Sequence, residues 1–297
     1  MKYKPIILLF IVGAMLSCTK DIDLKIPEVD RKIVIEGKIE SGEYASVIIT
    51  KSAPYFEPVD SSTIFEMGVF DATVVVSDGT TNDTLSFVLD FYQMPFYKYI
   101  GNSIIGEPGK SYSLEVFYDN EVYTATTTIP QIVELDSLAF KEETDLEVDS
   151  AGYLWFYFTD PDTLGNYYRI FSKTLGKDSV FVHPMASVSD DKNVNGEFIE
   201  YPVYRGWNPN LTQKQRDEEK EKLGDIPRWA FVRGETVIFK FCSIDAEHYE
   251  FWRTIEVQNT SDGNPFASPS SVYTNIQGGA IGVWGGYAVF QKIIQIE

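Results

Sequence analysis

Residues 32–130 alternate apolar and polar at the period of a β-strand. Ile33, Ile35 and Ile39 alternate with Val34, Glu36 and Lys38, and Val47 and Ile49 form a second run. Thr73–Ser77 is a third, closed by the turn dipeptide Asp78-Gly79. Leu85, Phe87, Leu89 and Phe91 then alternate with Ser86, Val88 and Asp90. Gly106-Glu107-Pro108-Gly109 turns the chain into Tyr112, Leu114, Val116 and Tyr118, and Asp119-Asn120 turns it again into residues 122–126. Short strands at this spacing predict an immunoglobulin-like β-sandwich over residues 31–130. The connection 54–70 is too long for a simple turn and is a candidate functional loop.

The alternation stops at Ile129-Pro130 and restarts after Ile132, which predicts a domain boundary near Pro130. Strand-like runs at 153–158, 167–172, 198–204 and 237–242 predict a β-rich domain over 131–297. Two helices interrupt it. Residues 211–223 are charged almost all round, with Glu218 and Lys222 in the favourable i,i+4 order, so this helix lies on the surface. The other follows Asp245, a good N-cap. Tyr249, Trp252 and Ile255 share one stripe, so this helix packs on the sheet with Trp252 as lid of the second core. The fold class is mainly β: an N-terminal immunoglobulin-like β-sandwich, then a second β-rich domain with one packed helix and one surface helix.

The N-terminus follows a different rule. Lys2 and Lys4 precede the apolar run 6–16, which is short of the roughly 20 residues a membrane span needs. Leu16-Ser17 then leads to Cys18. This reads as a signal peptide, 1–17, whose cleavage leaves Cys18 first in the mature chain. The segment resembles the lipobox of bacterial lipoproteins, in which the cysteine thiol is diacylglycerated; Met15 stands where the strict pattern has Leu. Residues 18–30 are a lipid-anchored tether, kept extended at Pro27. Cys18-Thr19-Lys20-Asp21-Ile22-Asp23 is similar to the surface-export signal of Bacteroidota lipoproteins. The expected location is the outer membrane, lipid-anchored and facing the cell surface.

Composition sharpens this picture. The chain has 297 residues, 44 % of them hydrophobic, enough for a sizeable core, and its 14 % aromatic content favours strands. A formal net charge of −19 repels nucleic-acid phosphates and anionic lipid alike, leaving the acyl chains to hold the protein at the membrane. With Cys18 acylated, Cys242 has no partner for an intrachain disulfide and packs as a small hydrophobe.

Few residues offer catalytic chemistry. There are two histidines, His183 before Pro184 and His248 in the first turn of the packed helix, and neither His-Glu-x-x-His nor Gly-x-Ser-x-Gly occurs. Asp160, Asp162 and Asn166 carry calcium-type oxygens, but they are equally the usual turn residues. No metal or cofactor is expected. Triplets of Asp, Ser or Thr, and a small or methyl-bearing residue recur at Thr84, Ser137, Ser150, Thr163 and Ser179. They are similar to the O-glycosylation sequon of exported Bacteroidota proteins.

A broader resemblance rests on the C-terminal part. Tyr249-Glu250-Phe251-Trp252 is followed by Asn264-Pro265-Phe266, Pro269, Thr274-Asn275-Ile276 and a glycine-rich run from Gly278 to Tyr287. Upstream stand Phe158-Thr159-Asp160-Pro161 and Asn166-Tyr167-Tyr168-Arg169. Together these resemble the Bacteroidota lipoprotein family called domain of unknown function 4249. The resemblance implies an envelope lipoprotein, often encoded beside TonB-dependent outer-membrane receptors, and no chemistry. Independently of it, the glycines at 278, 279, 282, 285 and 286 suit bulges, positive φ and close backbone approach in a bent strand.

The expected function is a non-enzymatic accessory of a TonB-dependent receptor that binds substrate or braces the receptor. A structural or adhesive surface protein and a hydrolase with an unrecognised carboxylate pair are the alternatives. Tyr92, Phe96, Tyr97, Tyr99 and Trp207 are the candidate ligand-binding aromatics, against the reading that they are core or loop anchors.

Overall fold

The computed structural model describes residues 30–53, 66–91, 95–143, 150–206, 208, 213–223, 226–261 and 271–297. Cys18 with the signal and tether, most of the 54–70 loop, Tyr92, Trp207 and the 264–269 part of the family pattern lie outside the described residues. In chain order the strands are β1 (Ile33–Glu40), β2 (Tyr44–Lys51), β3 (Thr73–Ser77), β4 (Asn82–Thr84), β5 (Ser86–Leu89), β6 (Tyr97–Ile105), β7 (Ser111–Tyr118) and β8 (Glu121–Thr128). There follow β9 (Ser137–Glu142), β10 (Ala151–Thr159), β11 (Tyr167–Thr174), β12 (Val188–Asp190), β13 (Phe198–Val203), helix α1 (Gln213–Leu223), β14 (Phe231–Val232), β15 (Thr236–Ile244), helix α2 (Ala246–Ser261) and β16 (Ile281–Gln295). The chain is mainly β, as the periodicity predicts.

β16 organises these elements. Its residues 281–287 run parallel to 34–40 of β1, and its residues 288–295 run antiparallel to 236–243 of β15. It thereby joins an eight-stranded sheet of order β12-β11-β15-β16-β1-β2-β6-β5. Two four-stranded sheets complete the fold: β4-β3-β7-β8, and β13-β10-β14 with β9 also paired to β10.

Side chains alternate across a strand, so β16 serves both faces of the large sheet. Trp284 and Ala288 enter a first core with Ile35, Ile39, Val47 and Ile49 of β1 and β2 and with Val74, Leu114 and Val116 of β3 and β7. On that same face Phe290 and Ile294 border a second core, with Ile170, Phe239 and Phe241 from the large sheet and Leu154, Phe156 and Val203 from the β13-β10-β14 sheet. Tyr287 and Val289 point the other way, to a small cluster with Cys242, Ile244 and Tyr249 beneath α2. Two sandwiches thus share one sheet, side by side on one of its faces.

The expected boundary near Pro130 separates the cores, since Ile129 belongs to the first and Leu135 to the second. It does not separate the backbone. Arg31–Glu297 form one compact unit, because β16 carries the sheet across from C-terminal strands to β1. A pairing between residues about 250 positions apart leaves no trace in local periodicity.

The glycine-rich run fits this junction. Gly282 has φ 131°, and a Cβ there would lie 1.9 Å from the Ile35 carbonyl oxygen; Gly285 lies so close to His248 that a Cβ would come within 2.3 Å of its ring. Along the N-terminal half of β16 the side chain of Asn275 stands in for a neighbouring strand. Its Nδ2 donates to the Trp284 carbonyl (2.9 Å), and its Oδ1 accepts from the Trp284 amide (3.0 Å).

Both helices occur where the pattern places them. α1 is mostly exposed. At α2 the Asp245 Oδ1 caps the His248 amide at 2.9 Å, while Oδ2 accepts from the Thr128 amide (3.1 Å) and the Thr127 hydroxyl, tying the helix start to β8. Trp252 differs from expectation. α2 lies on the face opposite the second core, so the half-buried Trp252 covers Arg169 rather than that core. The indole closed inside the first core is that of Trp284, which has no exposure and donates to the Tyr112 carbonyl at 2.9 Å.

Trp284→Ala is expected to cost about 3–5 kcal/mol of unfolding free energy, the usual range for truncating a core aromatic. Trp252→Ala is expected to cost less, because that ring is half-buried. Denaturant unfolding of the two variants checks the order, and equal losses would contradict it.

Candidate functional site

The face of the large sheet under α2 collects charge from three strands. The period of two that turns Ile35 and Ile39 inward turns Lys38 and Glu40 of β1 outward, and likewise Arg169 of β11 and Lys240 of β15. Glu40 accepts from Lys38 Nζ at 2.8 Å and from the buried Lys240. Burial pushes the Glu40 carboxyl up, but the two ammonium groups outweigh it and hold the pKa at about 2.

Arg169 is 3 % exposed. Its Nη1 donates to the Tyr287 hydroxyl at 2.6 Å, and its guanidinium carbon lies 3.5 Å from the centre of the Trp252 ring and 4.8 Å from that of Phe171. The charge is therefore held by ring faces and a phenol. His248, 1 % exposed, packs edge-on against Tyr287 with ring centroids 4.5 Å apart. Burial, then the Arg169 charge, lowers its pKa from 6.5 to about 3. Burial raises both the Tyr287 hydroxyl and the Cys242 thiol to about 12. At neutral pH these groups form a fixed arrangement: a neutral imidazole, a protonated phenol and thiol, an ionised Glu40 and a permanent cation. Neither the thiol nor the imidazole in it is tuned for proton transfer near pH 7.

The aromatic stretch singled out by sequence divides in two. Tyr97 and Tyr99 are 4 % and 2 % exposed and brace residues 69–72 against the sheet. The Tyr97 hydroxyl accepts from the Val69 amide (3.1 Å) and donates to the Ile49 carbonyl. The Tyr99 hydroxyl accepts from the Ala72 amide (3.1 Å) and donates to the Val69 carbonyl (3.0 Å). Both are anchors rather than a binding platform, because the alternation of β6 turns odd positions into the core. Phe96 is partly exposed in a turn, with φ 71°.

Around Phe96 lie exposed side chains that sequence reasoning did not select. Phe70, Phe87, Leu89 and Phe91 are all exposed, the last two 63 % and 73 %. The Phe70 and Phe87 rings meet at 6.0 Å, and the Asp90 amide bonds the Phe96 carbonyl at 2.8 Å, which brings Phe91 and Phe96 to either end of one turn. Among the described residues β5 is one edge of the eight-stranded sheet, β12 being the other. The available signal was three apolar residues at alternate positions, 87, 89 and 91, which reads the same for an edge strand as for a half-buried interior one.

The remaining candidates are scattered. Thr84, Ser137, Thr163 and Ser179 are exposed and Ser150 is half-buried. In two triplets the acid is structural: Asp83 accepts three backbone amides, those of Asn102, Ser103 and Ile104, and Asp178 pairs with Arg205 at 2.9 Å. Asp160 accepts from the Tyr168 hydroxyl and the Gly196 amide (3.2 Å), and Asn166 closes its own turn on the Thr163 carbonyl (2.6 Å). Among the described residues no three His, Cys, Asp or Glu converge as for a metal ion, and no helix is long and apolar enough to cross a membrane.

A family described as "Domain of unknown function (DUF4249)" matches residues 19–293, and the chain belongs to it. No curated protein matches.

His248 and Glu40 each give a pH signature. Between pH 6.5 and about 3 the unfolded chain binds a proton at residue 248 that the folded chain refuses, so stability falls as pH falls through that window. The slope is about 1.4 kcal/mol per pH unit for one proton. Glu40, depressed from 4.5 to about 2, adds its own loss between those values as pH falls further. His248→Asn is expected to flatten unfolding free energy against pH by one proton between pH 6 and 5. An unchanged slope would contradict the buried neutral imidazole.

Proposed function

We propose that this member of the DUF4249 family is a non-enzymatic lipoprotein, anchored through Cys18 to the outer membrane and facing the cell surface. It works by contact, as an accessory that braces, or binds substrate beside, a TonB-dependent receptor. The observation that carries this reading is the exposed aromatic side chains at the edge strand β5. Phe70, Phe87, Leu89, Phe91 and Phe96 are large apolar side chains left exposed on a chain of net charge −19. Exposed large apolar side chains of this kind mark a contact site, and an edge strand is where a partner strand can add to a sheet.

The tether argues for a partner in the same membrane. Residues 19–30 reach at most roughly 40 Å from the acylated cysteine at 3.3–3.6 Å per residue. A receptor barrel beside the anchor is therefore within reach at high effective concentration. The fixed protonation states under α2 favour a contact role over proton-transfer chemistry.

Two variants test the reading. Cys18→Ala should move the protein from the membrane to the soluble fraction. Leu89→Glu with Phe91→Ala should keep the melting midpoint but lose a TonB-dependent receptor that co-purifies with the parent and is identified by mass spectrometry. An adhesive role predicts loss of cell or surface binding with no receptor in the parent's eluate, and turnover of a glycan or peptide by the parent would overturn the non-enzymatic reading.

A further inference from the structure

The second core is not closed at one end. Where β10 and β13 face β11 and β12, a cavity of about 210 Å³ opens, walled by Phe156, Phe158, Tyr168, Ile170, Ile199 and Tyr201. The rings are ordered around it. Phe156 and Phe158 stack at 5.7 Å, Phe158 meets Tyr168 edge-on at 5.1 Å, and Phe156 lies 5.9 Å from Tyr201. This pocket shares no lining residue with the β5 edge, and it meets the charged face under α2 only at its rim, where the Ser187 hydroxyl accepts from Arg169 Nε at 3.4 Å.

Size narrows the occupant. A dry cavity of about 150 Å³ is enough to take benzene, whereas pockets for drug-sized ligands start near 300 Å³. The pocket falls between, so it suits a single ring with a small substituent. Ring walls favour an aromatic occupant, through offset and edge-to-face contacts.

Polarity narrows it further. Three polar side chains at the pocket, Tyr168, Ser187 and Asp190, are already engaged. The Tyr168 hydroxyl donates to Asp160, and the Ser187 hydroxyl donates to Glu256 at 2.6 Å. Asp190 is paired with Lys192 at 2.9 Å and accepts from Tyr249 at 3.2 Å. Ser189 and Tyr201 remain: both line the pocket, both are exposed, and neither hydroxyl has a partner among the described residues. A cation would have to displace Lys192 from Asp190, and an anion would face that carboxylate. A neutral ring with one hydroxyl directed at the rim meets all these conditions. We infer that the open end of the second core binds a small neutral phenol.

The test uses the full chain and 4-methylphenol, followed by isothermal titration and by ligand-observed NMR. The parent should bind saturably. Val194→Trp and Ala186→Phe each place a larger side chain at residues that line the mouth. Either filled variant should bind at least tenfold more weakly with its melting midpoint retained. Ala186 is exposed, so its variant keeps the test valid should the other fail to fold. Toluene should bind more weakly than 4-methylphenol, for want of the hydroxyl, and so should 4-methylbenzylammonium and 4-methylbenzoate, for their charge. No saturable binding by the parent, or undiminished binding by a folded filled variant, overturns the site. Equal or tighter binding by toluene or either charged analogue overturns the phenol assignment.

Discussion

Everything in this fold depends on one strand being paired on two sides by distant parts of the chain. β16 meets β1 along its first half and β15 along its second, one parallel and one antiparallel. Without the first pairing the N-terminal sandwich would be a separate sheet. Without the second, the C-terminal strands would lack the edge on which they build. Each demand has its residue. Gly282 permits the close approach to Ile35, Asn275 supplies the hydrogen bonds of a missing neighbour, and Trp284 fills the first core from the strand that the second core also borders.

The same strand explains why the two faces of the large sheet differ. One face carries two apolar cores side by side, so the other must meet solvent or find its own cover. α2 covers part of it, and beneath the helix lies a charge cluster that apolar packing could not accommodate. A buried guanidinium costs free energy unless its charge is met. Here the Trp252 and Phe171 rings and the Tyr287 phenol meet it, and a desolvated cation over an aromatic face contributes on the order of 2 kcal/mol. Among the described residues the two sheet ends carry an exposed aromatic edge at β5 and a ring-lined opening beside β12.

Much of this was legible in the sequence, and the exceptions share a cause. Period-two alternation locates the strands of the first sandwich, Asp245 marks the start of α2, and the charged run marks α1 as a surface helix. The glycine cluster announces a crowded strand. Local pattern does not say which strands become neighbours, so the joining of both halves through β16 was invisible. For the same reason Tyr97 and Tyr99 read as a possible surface platform although their hydroxyls serve residues 49–72, and Phe87, Leu89 and Phe91 read as ordinary alternation although β5 is an edge. Trp252 lies on the helix stripe the sequence assigns to it. Which face of the sheet that stripe covers is a tertiary matter.

β16 welds the two cores into one cooperative body. Native-state hydrogen exchange of the full chain at rising denaturant addresses it directly. The slowest amides of β1 and β2 and those of β11 and β15 are expected to converge on one opening free energy and exchange in a single cooperative event. Exchange of β1 and β2 at a denaturant concentration where β11 and β15 stay protected, or the reverse, would contradict it.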